Sequence, residues 1–200
     1  MPDSSLLHCA VHDLRNPIAV LRATLEWLGA EVASSGEPAD AVRDALSAAD
    51  RLADVAEDLD LLARLGRGET VPTQRLVLVP IVTSALAAAA PLLRARDASI
   101  TTAIDEAIAV TADRALLTRA VREIVTLTLK GVRSKTAVIV AAAVGGGEVA
   151  ITVRADVPAE PPDLAFDGLG IRVANAIART LGGSFEATAR HAWKLCVPAG

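Results

Sequence analysis

Five of six consecutive positions near the start of the sequence form a cluster whose side chains are the most suited to chemistry. In the stretch HDLRNPIAVL, His12 is followed by Asp13, Arg15, Asn16 and Pro17. An imidazole can accept a phosphoryl group when one ring nitrogen is unprotonated and solvent-facing and a hydrogen bond to the other nitrogen fixes the tautomer. Asp13 is suited to that bond or to proton transfer, and Asn16 to orienting a water toward a phosphorylated partner. Pro17 lacks an amide donor and is expected to loosen or kink the helix after the cluster.

The helical repeat predicts that this polar cluster faces outward. When Leu14 is placed at seam position d of a heptad, His12 falls at b and Asn16 at f, both outside the apolar seam. An ordinary solvated histidine would have the same placement, so position alone leaves both interpretations open. Of the other two histidines, we expect His8 at the rim of the seam and His191 in a structural role.

Two long helices joined by a turn must carry the cluster, because residues 4 to 65 have helical apolar periodicity. The turn is predicted in SSGEPAD, residues 34 to 40. One seam comprises Leu7, Val11, Leu14, Ile18, Leu21, Leu25, Leu28 and Val32; the next comprises Ala41, Ala45, Ala48, Leu52, Val55, Leu59 and Leu62, beside a second stripe of Val42, Leu46, Ala49, Ala53 and Ala56. A hairpin cannot bury stripes this wide alone. We therefore expect a homodimer through residues 4–65, forming a four-helix bundle, with packing on the second half of the chain as the alternative.

Composition narrows the classes of partner. Hydrophobic residues make up 52% and charged residues 22% of the 200 residues, which is enough apolar material for a packed core. The net charge is −4, divided into −7 for residues 1–66 and +3 for residues 67–200. Neither this balance nor the 2% aromatic content favours a nucleic-acid partner. The longest mostly apolar run, residues 81–93, is too short for a membrane span, and no signal peptide or metal-spaced cysteine pair is evident. A cytoplasmic protein is expected.

The second half has a different pattern after the linker GRGETVPTQ, residues 66–74. Alternating apolar segments and helical segments predict an α/β sandwich with one mixed sheet and helices on one face. The predicted strands are 75–79, 98–103, 107–111, 136–143 and 148–154, followed by a closing hairpin, and the predicted helices are 80–95, 113–132 and 169–181. VGGGE is a hairpin turn and residues 156–167 are a loop.

Two stretches resemble a known signalling family. HDLRNPIAVLRATLEWL resembles the phosphoacceptor box of bacterial sensor histidine kinases, and SAADRLADVAEDLDLLARLGRGE resembles the end of the second helix of their dimerisation and histidine-phosphotransfer domain. The second half resembles the ATP-binding domain that follows. The resemblance implies that His12 is phosphorylated, Asp13 is the adjacent acid/base and Asn16 occupies a phosphatase-assisting position. It also implies a dimeric four-helix bundle, residues 1–66, and a GHKL-type α/β sandwich, residues 74–200.

One ATP-site motif of that family is altered and another is retained. The metal-binding Asn motif corresponds to EIVTLTLK, residues 123–130, where Glu123 and Lys130 fit the ends but Leu127 replaces the Asn. Leucine has no oxygen with which to ligate Mg²⁺. The glycine segment at the start of the next helix keeps Gly168 and Gly170, although helix–sheet packing explains a glycine pair about as well. Glu123, Gly168 and Gly170 are therefore interpreted as remnants, with no bound cofactor or metal expected.

The adenine-binding motif, D-x-G-x-G, has no counterpart in its expected place. The corresponding stretch ADVPA has Ala155, Val157 and Ala159 at the three defining positions. A shift by one residue puts Asp156 in place of the Asp but supplies no glycine. The loop that lids ATP in this family is also shortened.

An intact histidine box beside an incomplete ATP site resembles the histidine phosphotransferases of phosphorelays, of the ChpT type. The resemblance implies that His12 accepts a phosphoryl group from a receiver domain, which carries its own Mg²⁺, and passes it to another receiver. Arg15 and Arg22 are the candidate partner-binding residues. Two alternatives stay open: an ATP-dependent histidine kinase with a divergent nucleotide site, and a non-catalytic pseudokinase that binds or sequesters a response regulator.

Overall fold

The first part of the chain is a hairpin of two long helices. A computed structural model describes residues 4–31, 37–158 and 168–200, with side chains described for 17–30, 38–158 and 168–200. Helix α1 is Ser4–Glu31 and helix α2 is Glu37–Gly66. Helix α1 is continuous through Pro17. The chain divides into two compact units, Met1–Glu69 and Thr70–Gly200.

The two apolar stripes of α2 differ in burial. The stripe that starts at Val42 continues beyond the predicted Ala56, and its alanines Ala49, Ala56 and Ala63 are buried. Helix α1 packs on α2, and the site that a Cβ of Gly29 would occupy lies 3.3 Å from Val42 Cγ1. Small side chains along one face let two helices approach closely, so this stripe forms the contact within the hairpin. The seam that contains Leu52 is largely exposed in the single chain.

The second unit contains seven strands and three helices among the residues that the structure describes. In chain order they are β1 (Gln74–Val77), α3 (Leu78–Ala95), β2 (Ser99–Ala103), β3 (Ala109–Ala112), α4 (Arg114–Gly131), β4 (Ala137–Gly145), β5 (Glu148–Ala155), α5 (Leu169–Thr180), β6 (Ser184–Ala189) and β7 (Ala192–Pro198). A helical hairpin followed by an α/β sandwich was predicted, and this architecture is confirmed. The predicted glycine turn between β4 and β5 is present, with positive φ at Gly146 and Gly147.

The prediction of a single sheet was wrong. Five strands form a mixed sheet in the order β2-β4-β5-β7-β6, in which only the β2–β4 pair is parallel among the described strands. Strands β1 and β3 pair with each other in a separate antiparallel ribbon. An isolated bridge between Val110 and Ala199 links this ribbon to the end of β7. Strand periodicity predicts which faces are buried, but it does not predict which strands become neighbours.

Helix α3 begins earlier than predicted. It starts at Leu78, so β1 ends at Val77 rather than at 79. The amide of Leu78 donates to the carbonyl of Ile108 at 2.9 Å, outside the helix. Pro80 lies in the first turn of α3, where amides have no partner within the helix, so the missing amide of the proline costs no helical hydrogen bond. With 18 residues, α3 is long and apolar enough to cross a membrane by length and composition alone. Its inner face, which includes Ile81 and Ala85, is buried in the second unit, where α3 packs on α4.

Strand β3 begins two residues later than predicted because a turn precedes it. The Asp105 side chain accepts from the Ala107 amide at 2.8 Å, and its carbonyl accepts from the Ile108 amide at 3.1 Å. These bonds hold 105–108 in a turn, so pairing starts at Ala109. The next helix, α4, then starts at a capping residue, since the Asp113 side chain accepts from the Leu116 amide at 2.9 Å.

The core of the second unit lies between the five-stranded sheet and helices α4 and α5. Alternate residues of β5, from Val149 to Ala155, and of β7, from Trp193 to Val197, are buried on one face. This face packs on α4 and α5, and α4 also packs on α3. The central helix α4 is the most extensively buried of the described helices, which fixes Glu123 and Leu127 inside the unit.

Candidate functional site

Helix α1 carries the polar cluster that the sequence predicts to be the site. His12, Asp13, Arg15 and Asn16 all lie within α1, one helical turn apart at most from their neighbours in the group. Their side chains, like that of His8, lie outside the described side chains. The outward placement of His12 and the roles of Asp13 and Asn16 therefore stay predictions.

The register of the hairpin shows which part of α2 lies level with His12. Arg22 Nη1 lies 3.4 Å from Asp50 Oδ1, and the Cβ position of Gly29 lies 3.3 Å from Val42. In an antiparallel pair of helices, a step toward the N-terminus of one matches a step toward the C-terminus of the other. Residue 12 lies ten residues before Arg22, so the first contact places it level with residue 60, ten residues after Asp50. It lies seventeen residues before Gly29, so the second contact places it level with residue 59, seventeen residues after Val42.

A carboxylate interrupts the buried stripe of α2 at that level. The stripe has steps of four and three and comprises Val42, Leu46, Ala49, Ala53, Ala56, Asp60 and Ala63. Asp60 is 9% exposed, and every other member is apolar. Sequence reasoning followed this stripe only as far as Ala56 and so missed Asp60. The signal was an acidic residue at the next step of an otherwise apolar repeat.

Arg22, a predicted partner-binding residue, is engaged within the hairpin. Its Nε donates to Glu26 Oε1 at 3.0 Å, in addition to the 3.4 Å ion pair with Asp50 on α2. The hydrogen bond to Glu26, followed by the charge of Asp50, raises the pKa of Arg22 above its usual value. About half of the side chain is exposed, so Arg22 both joins the two helices and remains accessible.

Two apolar side chains on α1 are exposed and lie outside the heptad seam of that helix. Val20 is 67% exposed and Trp27 is 62% exposed, one heptad apart. Ala23, also exposed, lies between them on the same side of the helix. On the heptad that places His12 at b, both Val20 and Trp27 fall at c, outside the seam. Exposed apolar side chains that share one side of a helix are typical of surfaces that bind other proteins.

In the second unit, Leu127 and Glu123 of α4 pack against the start of α5. The Cβ position of Gly170 lies 3.1 Å from Glu123 Oε2 and 3.5 Å from Leu127 Cδ2. Glu123 is held from the other side by Arg119, whose Nε lies 3.0 Å from Glu123 Oε1, and by Arg122 at 3.5 Å. Glu123 is therefore neutralised by arginines of its own helix, and Leu127, 7% exposed, lies in the α4–α5 contact.

At the end of β5, Ala155 occupies the position at which the family motif has an Asp. Ala155 is buried, and its amide donates to the carbonyl of His191 at 2.9 Å. Asp156 is exposed, and its carboxylate lies 3.9 Å from Arg154. Val157 follows in the exposed turn, while Ala159 lies outside the described residues. Among the described residues, no group of three or more His, Cys, Asp and Glu side chains could hold a metal ion.

His191 lies against the end of α4. A Cβ added at Gly131 would come within 2.6 Å of His191 Nδ1, so the glycine makes room for the ring. This packing explains why the imidazole of His191 is half-buried, and it gives the residue a structural role far from α1 in sequence.

Comparison with known proteins finds one family model and many related folds. Residues 4–68 match the His Kinase A (phospho-acceptor) domain, which covers a third of the chain. No curated protein sequence matches. Among solved structures, the histidine kinase AdeS of Acinetobacter baumannii has 17% identity and a TM-score of 0.68, with 94% of this chain and 97% of that one covered.

Two further structures are similar in fold to nearly the whole chain. Full-length ShkA in complex with AMPPNP has 18% identity and a TM-score of 0.73, with 98% of this chain and 46% of that one covered. A histidine kinase from Burkholderia phymatum has 15% identity and a TM-score of 0.55, covering 99% and 98%. At these identities the likeness concerns the fold.

Proposed function

We propose that this histidine-kinase-like protein of two-component signalling is a phosphorelay histidine phosphotransferase. In this proposal His12 accepts a phosphoryl group from the phospho-aspartate of one receiver domain and passes it to a second receiver, without binding ATP. The HisKA match over residues 4–68 supports the assignment of the histidine box. Asp13 is proposed as the acid/base or orienting group, and Asn16 as the phosphatase-assisting residue.

The proposed transfer is a displacement at phosphorus. The unprotonated ring nitrogen of His12 attacks, a nitrogen–phosphorus bond forms, and the bond between phosphorus and the receiver's carboxylate oxygen breaks. The carboxylate leaves as an anion, and the same steps in reverse deliver the group to the second receiver. The chain's contribution is to position the nucleophile and fix its tautomer, and Mg²⁺ belongs to the receiver.

The observation that carries this proposal is the buried position of Leu127, whose Cδ2 lies 3.5 Å from the place that a Cβ of Gly170 would occupy. In the family pattern, position 127 is an Asn that holds Mg²⁺, whereas here a leucine side chain fills the α4–α5 contact. The carboxylate of Glu123 is already paired with Arg119 and Arg122. We infer that these residues do not fit a magnesium–ATP complex, since a hard cation requires oxygen ligands.

A second copy of the chain is the proposed cover for the exposed seam. Leu21, Leu28, Leu52 and Val55 are all more than a third exposed in the single chain and lie on the seam predicted from the heptads. Burial of these four side chains against their counterparts would complete a four-helix bundle. The other stripe of α2 is already used within the hairpin.

The surface formed by Val20, Ala23 and Trp27 is the proposed docking site for receiver domains. It lies outside the seam, so dimerisation through the seam leaves it accessible. It begins two turns after His12 on the same helix, within reach of a domain whose phospho-aspartate meets the histidine. Arg15 and Arg22 are the proposed polar contacts at its border.

An ATP-dependent histidine kinase is the second candidate. Gly168 and Gly170 are retained at the start of α5, and a structure of similar fold, full-length ShkA, was determined in complex with AMPPNP. The third candidate, a pseudokinase that sequesters a response regulator, requires binding but no transfer. The kinase differs from the proposal in taking its phosphoryl group from ATP, and the pseudokinase differs in transferring none.

The test follows labelled phosphate into the protein from two donors. The full chain is incubated with a ³²P-phosphorylated receiver and, in parallel, with [γ-³²P]ATP and Mg²⁺. We expect label on the chain from the receiver alone, and none on the His12→Gln variant. Label from ATP would support the kinase, and receiver binding without transfer would support the pseudokinase. His8→Gln is the matched control, because it removes an imidazole one turn away on the same helix.

A further inference from the structure

Five cationic residues lie where helices α3 and α4 end side by side. Nη1 of Arg96 donates to the carbonyl of Val132 at 3.0 Å, and the amide of Lys135 donates to the carbonyl of Arg96 at 2.9 Å. These bonds join the turn that follows α3 to the loop that follows α4. We call this region the basic end, and its five cations are Arg94, Arg96, Lys130, Arg133 and Lys135.

The cations of the basic end have no anionic partner among the described residues. Arg96 is partly exposed, and the other four are exposed. None of the five forms an ion pair with a described carboxylate, including that of Asp97, which lies between α3 and β2. In the hairpin, by contrast, Arg22 and Arg43 both form ion pairs. The positive charge of the basic end is therefore not neutralised by any described residue.

The segments around the basic end contain almost no acidic residue. Asp97 is the sole Asp or Glu in residues 78–104 and 124–147, and these two segments together have a net charge of +4. The rest of the chain has a net charge of −8. A charge distribution this uneven turns one end of a protein toward an anionic surface, even though the whole chain is acidic.

Stabilisation of the helix ends explains only part of the cluster. Cations in the last turn of a helix interact favourably with its terminal carbonyls, which accounts for Arg94 and Lys130. Arg133 and Lys135 lie beyond α4, which ends at Gly131. Lys135 has a φ of 66°, in the left-handed region that glycine and asparagine adopt more readily than lysine. Local backbone geometry therefore does not account for a lysine at this position.

We propose that the basic end is a peripheral binding surface for anionic phospholipid. Lys and Arg side chains close to a membrane interact with its negative headgroups, and clusters of about four to eight such residues are typical of this binding. The basic end has five. Because the headgroups form a continuous layer of charge, binding requires a local concentration of exposed cations rather than a shaped pocket.

Composition favours lipid over an acidic protein as the partner. Protein interfaces derive much of their affinity from aromatic anchors, and lysine is depleted in them. Residues 78–135, which include the whole basic end, contain no Phe, Tyr or Trp. Attraction to anionic headgroups needs no such anchor, so the basic end has what a lipid surface requires and lacks what a tight protein interface requires.

The experiment measures how the full chain partitions between buffer and sedimented vesicles at low ionic strength. Vesicles of phosphatidylcholine alone are compared with vesicles of equal parts phosphatidylcholine and phosphatidylglycerol. We expect binding to the mixed vesicles to be at least about tenfold stronger, and the difference to disappear at about 1 M salt, where the Debye length is about 3 Å. Equal partition into both kinds of vesicle at low ionic strength would overturn the proposal without the use of any variant.

A double variant tests whether the basic end is the surface that binds. Arg133→Gln combined with Lys135→Asn removes two charges, and asparagine tolerates the left-handed backbone at position 135. Each cation near an anionic membrane strengthens binding by about fivefold, so we expect the double variant to bind the mixed vesicles roughly twenty-five-fold more weakly. Circular dichroism during thermal unfolding checks that the variant is folded.

The matched control removes two exposed arginines near the opposite end of α4. Arg114 begins α4 and lies about 24 Å along the helix from Lys130, and Arg75 is on β1, paired with Thr111. Arg75→Gln combined with Arg114→Gln changes the net charge by the same amount and should alter vesicle binding by no more than about twofold. Equal losses in the two double variants would show that net charge alone controls binding and would contradict the proposal.

Polyglutamate is the probe for an acidic protein partner. Binding of polyglutamate that depends on Arg133 and Lys135, in a chain that binds no anionic vesicle, would assign the surface to an acidic protein and overturn the assignment to lipid. None of these measurements involves phosphoryl transfer, so their outcome is independent of the proposed function.

Discussion

Replacing Leu52 by alanine should weaken self-association without unfolding the hairpin. Leu52 lies on the exposed seam of α2 and is 51% exposed in the single chain. Complete burial of a leucine contributes about 1.5–3 kcal/mol, so covering the remaining half contributes roughly 0.8–1.5 kcal/mol per copy. Each dimer contains two copies, and the expected loss of about 1.5–3 kcal/mol raises the dimer Kd by about ten- to 150-fold.

The measurement is sedimentation equilibrium over a range of protein concentrations, with thermal unfolding recorded in parallel. Val20→Ala is the matched control, because Val20 is even more exposed, at 67%, but lies outside the seam. Its dimer Kd should equal that of the wild type. A Leu52→Ala dimer as tight as the wild type, or an equal loss in Val20→Ala, would refute the assignment of the seam.

Four further predictions follow from individual contacts. Leu127→Asn should destabilise the second unit by about 2–4 kcal/mol in urea and restore no ATP binding by calorimetry, because an amide replaces a buried leucine and the adenine contact is still missing. Gly131→Ala should lower stability by about 1–3 kcal/mol through its clash with the ring of His191, and removing that ring in the double variant should recover most of the loss. Trp27→Ala should leave stability and dimerisation unchanged but weaken receiver binding by about tenfold or more in titration calorimetry, with unchanged affinity counting against the docking surface. Hydrogen bonds from Arg67 and Arg64 lower the pKa of the Glu69 carboxylate. The contribution of Glu69 to stability should therefore be present above its ordinary pKa and be lost as pH falls through the lowered value, and an NMR titration of the carboxylate checks the direction of the shift.

The sequence predicts the elements well because their periodicities are local. The two long helices, the glycine turn between β4 and β5, and the order of strands and helices all follow from spacing and turn residues. The boundaries shifted where hydrogen bonds outside the element decide them, as at Leu78, which bonds to Ile108, and in the turn held by Asp105. The separation of β1 and β3 from the main sheet depends on long-range pairing, which no local pattern specifies.

The candidate site was predictable only as far as it is encoded within one helix. The box around His12 is contiguous, so the sequence alone was enough to predict it, and the roles of its residues stay predictions. The part of α2 that lies level with residue 12 could be identified only from contacts across the hairpin, such as that of Arg22 with Asp50. The contact of Leu127 with Gly170 joins residues on different helices. The substitution of Leu127 was visible in the sequence, but the place that its side chain fills was not.

The donor of the phosphoryl group is the central claim, and a two-donor labelling experiment tests it most directly. The full chain is presented with a phosphorylated receiver in one reaction and with labelled ATP and Mg²⁺ in the other, and acid-labile, base-stable phosphate on the protein is measured over time. We predict that phosphohistidine forms from the receiver, disappears on addition of a second receiver, and does not form from ATP. Formation of phosphohistidine from ATP, or none from any receiver that binds the chain, would contradict the account.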